Sequence, residues 1–283
     1  MQIIFDQNKC DQYLLDKGVF YSSLECKKCG NIIKQKPARR TFRCTARSCQ
    51  ADCSIRKHTF FFGSRLKSCE ILYIAHLWVH KVTIDSTIGL TGHSSATITN
   101  FYNHFRILVA STLDYEDQII RSPGVIVEVD ETKLGKRKHH RGHRVEGVWV
   151  VAGVERTKER RMFLVPVETR DSNTLKSIIN DHVAIGSIIH TDMWKGYQGL
   201  TISGEFEHKT VNHSRFFKNP QINVHTNTIE GNNNGLKTRI PARSRVRQRI
   251  EEHLLEYIWR RKHEDQNLWD AFVKAIKDIH YDL

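Results

Sequence analysis

The chain has 283 residues, enough for one large domain or two of moderate size, and its 44 Lys and Arg against 31 Asp and Glu give a formal net charge of +13. This excess favours a polyanionic partner, nucleic acid ahead of a membrane surface. No stretch reaches the roughly 18 apolar residues of a membrane span, and the N-terminal MQIIFDQNKCDQYLLDKG is acidic where a signal peptide would be basic and then apolar. We therefore expect an intracellular protein without membrane contact.

The positive charge and the cysteines are both concentrated towards the N-terminus. Residues 1–113 hold 16 basic and 7 acidic side chains, whereas residues 114–283 hold 28 and 24. All seven cysteines lie within residues 10–69, and an odd, crowded set fits metal ligation in a reducing compartment better than a disulfide framework. These features predict a DNA-binding N-terminal part.

Four of these cysteines have the spacing of a zinc ribbon, which we place in residues 1–64. Cys26 and Cys29 form a CxxC pair, and after fourteen residues Cys44 and Cys49 form a second pair. Four thiolates complete a tetrahedral structural zinc site. Cys53 is an alternative to Cys49 as the fourth ligand, and ordinary buried or free thiols are the alternative to a metal site.

Residues 65–113 have the periodicity of helices separated by a short turn. Ser94 or Ser95 is suited to cap the last helix, and Gly89 and Gly92 supply the turn before it. This order predicts a helix-turn-helix that places polar side chains in a major groove. Three helices that merely pack together are the alternative. The side chains expected to face DNA are Thr99, Asn100, Asn103 and Arg106.

The third part begins after a linker at residues 114–124 and extends over residues 125–283. Its pattern predicts strands at 125–131, 147–154 and 161–167, a helix at 172–183, and further strands at 186–190 and 206–211. Three meandering strands, a crossover helix and a fourth strand parallel to the first predict an α/β, ribonuclease-H-like mixed sheet with flanking helices. Strands one and four then lie side by side.

Three acidic residues occupy informative positions in this third part. Asp130 ends the apolar run VIVEVD, Asp192 follows IIHT, and Glu230 lies in the helical segment HTNTIEGNNNGLK. Carboxylates at the ends of adjacent strands share a cleft in which oxygen ligands hold hard cations. Glu128 has the same side-chain parity as Asp130 and Glu131 the opposite parity. Neither is assigned a role.

At this point the sequence resembles a known family. The segments VEVDETKLGKRKHHRG, HTDMWKGY and HTNTIEGNNNGLK, together with VNHS and the following Phe216, are similar to the catalytic segments of Merlin-type transposases and their bacterial insertion-sequence relatives. That family places a zinc ribbon and a helix-turn-helix before a ribonuclease-H-like DDE domain. The resemblance extends over nearly the whole chain, and it places the catalytic acids at Asp130, Asp192 and Glu230.

The resemblance also implies a chemistry. Two Mg²⁺ or Mn²⁺ ions, bridged by Asp130 and flanked by Asp192 and Glu230, would support strand cleavage and then attack by a 3′-hydroxyl on target DNA. Lys237, two helical turns beyond Glu230, would hold DNA near the scissile phosphate. The expected partners are double-stranded DNA, as transposon terminal inverted repeats and target, and further copies of the chain in a homo-oligomer.

Other clusters extend this prediction to the DNA backbone. Lys136, Arg137 and Lys138 lie in a basic hairpin loop beside the acids, and Arg239, Arg243 and Arg245 follow Glu230. We expect His139, His140 and His143 to be surface residues and not metal ligands. Trp194 either stacks on a base or completes the core, and the core is favoured. Two C-terminal helices should pack on the sheet or on a second protomer.

Two functions of different classes fit the sequence. The first is an active cut-and-paste transposase, located in the nucleus if the host is eukaryotic. The alternative is a transposase-derived DNA-binding or regulatory protein that no longer cuts. The intact acids and Lys237 favour the first. A ribonuclease-H-like nuclease without a transfer step fits less well, because the N-terminal part implies recognition of particular DNA ends.

Overall fold

The computed structural model describes residues 5–35, 40–121, 123–135, 147–198, 200, 204–212 and 224–279. The chain divides into two compact units, the first formed by residues 1–112 and 263–283 and the second by residues 113–262. No helix of the described ranges is long and apolar enough to cross a membrane. The finer domain bounds expected from the sequence stay predictions.

The N-terminal half contains short strands and helices. They are α1 (Gln7–Asp16), β1 (Ser23–Glu25), β2 (Ile32–Lys34), β3 (Thr41–Arg43), β4 (Asp52–Ser54), α2 (Ser68–Val79), α3 (Ile84–Thr91) and α4 (Ser95–Ala110).

The C-terminal half contains the longer strands. Its elements are β5 (Ile126–Leu134), β6 (Val148–Glu155), β7 (Met162–Val167), α5 (Ser172–His182), β8 (Ile188–Asp192), β9 (Glu207–Val211), α6 (Asn227–Arg239), α7 (Arg247–Lys262) and α8 (Leu268–Asp278).

The helices α3 and α4 of the first unit begin where the sequence provides N-caps. The Thr83 hydroxyl accepts the Ser86 amide at the start of α3, and the Ser94 hydroxyl accepts the Thr97 amide at the start of α4. Gly92 ends α3 with a left-handed φ of 71°. Gly89, expected in the turn, instead lies inside α3. The three successive helices that a helix-turn-helix requires are present, but DNA recognition by them stays a prediction.

Helix α8 belongs to the first unit, so the expectation that it packs on the sheet is wrong. Phe272 contacts Trp78 of α2 and Phe105 of α4, with ring centroids 5.6 and 5.3 Å apart. Trp269 donates its indole N–H to the Tyr13 hydroxyl at 3.0 Å. The apolar face of α8 was evident in the sequence, but periodicity does not say which surface such a face covers.

The second unit is built on a five-stranded mixed sheet with the order β7-β6-β5-β8-β9. Strands β5, β6 and β7 form an antiparallel meander, whereas β8 pairs parallel to both β5 and β9. Helix α5 provides the crossover from β7 to β8. This is the expected ribonuclease-H-like arrangement, and the fold prediction is confirmed.

Each face of this sheet buries a separate apolar cluster. Val127 and Val129 of β5 pack with Leu175 and Ile179 of α5 on one face. On the other face, the cluster includes Val150, Ala152, Leu236 and Leu254, from β6, α6 and α7. Because side chains alternate along a strand, Glu128 and Asp130 share the face of β5 that is covered by α6.

Gly153 permits close packing between β6 and the Phe163 ring on β7. A Cβ atom at position 153 would lie 2.2 Å from Phe163 Cε1, whereas one at Gly231 in α6 would meet nothing within 4 Å. We expect Gly153→Ala to lower the free energy of unfolding by about 1–3 kcal/mol through overpacking. Gly231→Ala should leave it unchanged or raise it by up to about 1 kcal/mol. Urea unfolding of both variants measures this, and equal stabilities would contradict the packing described.

Candidate functional site

The pairing of β5 with β8 brings the first two acids together. Ile126 pairs with Ile188, Val127 with Ile189 and Glu128 with His190, a constant offset of 62 residues. The same offset separates Asp130 from Asp192, so the two carboxylates leave neighbouring strands at the same level. Both side chains are half-buried. The sequence-based placement of this pair agrees with the sheet register.

Glu230 reaches the same place from the first turn of α6. Its carboxylate accepts a hydrogen bond from the Thr226 hydroxyl at 3.0 Å. Asn233, three residues further along α6 and therefore on the same helix face, donates its side-chain amide to Asp130 Oδ2 at 2.8 Å. Asn233 was not singled out from the sequence, although its spacing from Glu230 was a usable signal.

Glu128 fixes the start of α6 against β5. Its side chain is fully buried, and Oε2 accepts the backbone N–H groups of Thr228 at 2.8 Å and Ile229 at 3.0 Å. Thr226 at the N-cap position makes no side-chain capping bond to the backbone. The capping oxygen of α6 therefore comes from a strand about one hundred residues earlier in the chain, and an anion is favoured at that helix end.

Arg156, which directly follows β6, completes this anchor. Its Nε donates to Glu128 Oε1 at 2.5 Å, and its Nη2 donates to the His225 carbonyl at 2.5 Å. Arg156 thus neutralises the buried carboxylate and holds the segment that leads into α6. Because Glu128 lies two residues before Asp130 and Thr228 two residues before Glu230, the anchor sets the distance between the two catalytic candidates.

The acids repel one another in the absence of a cation. Burial, and then the neighbouring Asp192 carboxylate, raise the pKa of Asp130 to about 6, and Glu230 acts in the same direction. The Glu131 amide and the Asn233 side chain donate hydrogen bonds to Asp130 that partly offset this rise. A divalent cation would stabilise the charged form of Asp130 in this half-buried group of carboxylates.

The donor set fits hard divalent cations, although the three carboxylates are not all in mutual contact. Among the residues that the structure describes, the set Cys26, Cys29, Cys44 and Cys49 is the only group of three or more His, Cys, Asp or Glu ligand atoms all within 4.8 Å of one another. The carboxylate oxygens of the three acids therefore do not all lie within 4.8 Å of one another. Two-ion sites hold their ions about 3.5–4 Å apart, so their ligands span a wider space.

The four cysteines have the geometry of a structural zinc centre. Cys26 and Cys29 lie in the turn between β1 and β2, and Cys44 and Cys49 lie in the turn between β3 and β4. The Sγ atoms of Cys26 and Cys49 are 3.6 Å apart, and those of Cys29 and Cys44 are 3.5 Å apart. Tetrahedral Zn–S bonds of about 2.3 Å would separate the sulfurs by about 3.8 Å. The geometry favours Cys49 over Cys53, which lies on β4.

The basic residues expected around the acids have different environments. Lys237 is exposed on α6, seven residues beyond Glu230. Arg239 and Arg243 are also exposed, although Arg239 lies over the Tyr257 ring at 5.1 Å. Arg245 instead donates to the carbonyls of Ile240 and Lys237 at the end of α6. Its guanidinium therefore supports the helix end, which the sequence did not indicate.

Several predicted contact residues differ from expectation or lie outside the described residues. Arg106 is 9% exposed and donates to the Asn103 side chain, so it does not face outward as expected. Long basic side chains can fold back over their own helix, which helical spacing does not reveal. Thr99 is half-buried, and Asn100 and Asn103 are exposed. The predictions outside the described residues concern Lys136, Arg137, Lys138, His139, His140 and His143.

Trp194 is not a core residue, so the favoured alternative for it is wrong. Its side chain is 42% exposed, and its backbone N–H donates to Asp192 Oδ1 at 2.9 Å. The guanidinium carbon of Arg170 lies 4.8 Å from the centre of the Trp194 ring and 3.6 Å from that of the Trp149 ring. His190, by contrast, is buried, and this burial lowers the pKa of its imidazole to about 4.

Comparison with known proteins identifies the class of the second unit. Residues 123–262 match the family model of the ISXO2-like transposase domain. This match supports a transposase of the DDE class, as expected from the sequence. The narrower Merlin affiliation stays a prediction.

Two further comparisons are less informative. Among solved structures, the chain is similar to a chain of the pre-cleavage Mos1 transpososome, with 12% identity over 77% of this chain and 82% of that chain and a TM-score of 0.27. A similarity this distant assigns neither residues nor activity. None of the curated proteins matches the chain.

The buried Glu128–Arg156 pair should be a main source of stability in the second unit. We expect Glu128→Gln to lower the free energy of unfolding by roughly 3 kcal/mol, because it leaves Arg156 without its anion and weakens the cap of α6. Adding Arg156→Gln should cost less than the sum of the two single changes. Glu168→Gln, at an exposed acid after β7, is the control and should change stability by less than about 0.5 kcal/mol. Equal losses for Glu128→Gln and Glu168→Gln would contradict the anchor.

The cysteine geometry predicts which thiols retain zinc. We expect the purified chain to hold one zinc ion, and Cys44→Ser or Cys49→Ser to reduce the zinc content and unfold the hairpins, because structural zinc supplies folding energy. Cys53→Ser should retain the metal. Elemental analysis with thermal unfolding measures this. Zinc loss in Cys53→Ser with retention in Cys49→Ser would reverse the assignment.

Proposed function

We propose that this chain binds transposon-end DNA and catalyses metal-dependent strand cleavage and strand transfer, as in cut-and-paste transposition. The observation that carries the proposal is the shared offset of 62 residues, which puts Asp130 and Asp192 at the same level of adjacent parallel strands. Glu230 on α6 adds a third oxygen ligand. The transposase family of residues 123–262 supplies the substrate class.

The side chains have separable roles in this proposal. Asp130, Asp192 and Glu230 would hold Mg²⁺ or Mn²⁺. When bound, such ions activate the attacking oxygen and stabilise the leaving oxygen of a phosphodiester. Asn233 orients the Asp130 carboxylate through its 2.8 Å hydrogen bond, and Lys237 approaches the DNA backbone from the same helix. The exposed Arg239 and Arg243 extend this contact to neighbouring phosphates.

The first unit supplies DNA recognition in this proposal. The zinc-binding hairpins would give a rigid support, and α4 would present Asn100 and Asn103, both exposed, to base edges. Thr99 stands beside them in a half-buried position. Synapsis of two transposon ends would require more than one copy of the chain, and we propose a homo-oligomer for that reason.

The alternative is a transposase-derived protein that binds DNA without cutting it. The presence of all three acids favours cutting, because a chain retained only for binding has no need of mutually repelling carboxylates with a raised pKa at Asp130. We therefore keep the binding protein as an outcome of the test.

The test is cleavage and strand transfer on DNA that carries the terminal inverted repeats flanking the coding sequence, with Mg²⁺ or Mn²⁺. We expect Asp192→Asn to lower the cleavage rate roughly 10²- to 10³-fold or more, because lost charge stabilisation of this kind costs several kcal/mol in the transition state. Affinity for the ends should change far less.

Glu168→Gln serves as the matched control, since it removes an exposed carboxylate from the same unit. Its cleavage rate should equal that of the unchanged chain. Equal product from the unchanged chain and Asp192→Asn would exclude the proposed metal site. End binding without any cleavage would establish the non-cutting alternative.

A further inference from the structure

The side chains of Trp194, Arg170 and Trp149 form a stacked group beside the proposed catalytic acids. Arg170 lies over both tryptophan rings, at 3.6 Å from the centre of Trp149 and 4.8 Å from that of Trp194. Arg170 Nη1 also approaches the Glu131 carboxylate at 3.4 Å. Trp149 is partly buried against the apolar cluster under α5, so the group is tied to the sheet at one end. Its other end, Trp194, is 42% exposed.

The position of Trp194 is fixed by three separate contacts. Its backbone N–H donates to Asp192 Oδ1 at 2.9 Å, and its ring lies over Arg170. The edge of the indole also rests on Gly196, where a Cβ atom would lie 2.6 Å from Trp194 Nε1. An exposed tryptophan whose position is fixed in this way is typical of a binding surface.

We propose that Trp194 stacks on an unpaired nucleobase of DNA next to the phosphate that is cut. This inference rests on the proposed function, because it requires the acids to hold a scissile phosphate. A paired duplex presents phosphates and base edges, whereas the flat face of a base becomes available only when its nucleotide leaves the stack. An aromatic ring beside a cation is suited to such a face. The Trp194 backbone N–H is hydrogen-bonded to the Asp192 carboxylate, so Trp194 lies next to a proposed metal ligand. The unpaired base would therefore belong to a nucleotide that adjoins the reacting phosphate.

The charges around Trp194 agree with this occupant. Arg170 provides a cation beside the ring, and Lys195 directly follows Trp194 in the sequence. Met193 is 61% exposed and provides an apolar, polarizable neighbour. An acidic peptide would pair with the cations but would not stack on the ring. A nucleotide would do both, through its phosphate and its base. Stacking is tolerant of base identity, so the inferred contact positions the DNA and does not read its sequence.

The test measures affinity for transposon-end duplexes that carry one unpaired nucleotide beside the cleavage position. The same duplexes with an abasic site at that nucleotide are the reference, and no Mg²⁺ or Mn²⁺ is added. We expect the unchanged chain to prefer the base over the abasic site by about 5- to 150-fold, the range that one base–aromatic stack provides. Trp194→Ala and Trp194→Leu should lose this preference, and Trp194→Phe should keep most of it.

Tyr115→Ala is the matched control, because Tyr115 is a 58% exposed aromatic residue of the same unit that contacts His182 at the far end of α5. It should keep the full preference, and thermal unfolding should show that every variant is folded. No preference in the unchanged chain, or the same preference in Trp194→Leu, would overturn the inference. If the chain cleaves DNA but shows no preference for the base, the stacking inference fails and the proposed function stands. If the preference is present but no cleavage occurs, the proposed cutting activity fails and the stacking inference stands.

Discussion

The site depends on one buried interaction, the capping of α6 by Glu128. This carboxylate lies on β5, two residues before Asp130, and accepts the N–H groups of Thr228 and Ile229 at the start of α6. Arg156 compensates its charge. A buried carboxylate without these three partners would be severely destabilising. The same contacts therefore stabilise the second unit and hold the helix that carries Glu230 against the strand that carries Asp130.

This anchor separates two kinds of acid that look alike in the sequence. Both carboxylate oxygens of Glu128 accept hydrogen bonds from donors inside the protein, and the side chain is fully buried. Asp130, Asp192 and Glu230 are half-buried, and burial together with mutual repulsion raises the pKa of Asp130. In the proposed site Glu128 would act as a positioning residue, whereas the other three acids would hold the metal ions. A metal site needs both residues that hold its elements rigidly in place and residues that bind the cation.

The sequence predicted the sheet well because its strands are apolar runs separated by turn residues. That Asp130 and Asp192 are neighbours followed from strand order, and the cysteine pairs followed from spacing. Contacts between distant segments were not predictable in the same way. The cap of α6 by Glu128 and the packing of α8 on Trp78 each join residues far apart in the chain. Periodicity identifies a buried face but not its partner.

We propose that Asp130, Asp192 and Glu230 form a divalent-metal site that the Glu128 anchor holds together. Electron paramagnetic resonance of Mn²⁺ binding to the zinc-loaded chain, without DNA, tests it directly. We expect saturable Mn²⁺ binding in the unchanged chain, none at the same concentration in Asp130→Asn/Asp192→Asn, and weaker binding in folded Glu128→Gln. Unchanged Mn²⁺ binding in the Asp130→Asn/Asp192→Asn variant would exclude a metal site at these acids.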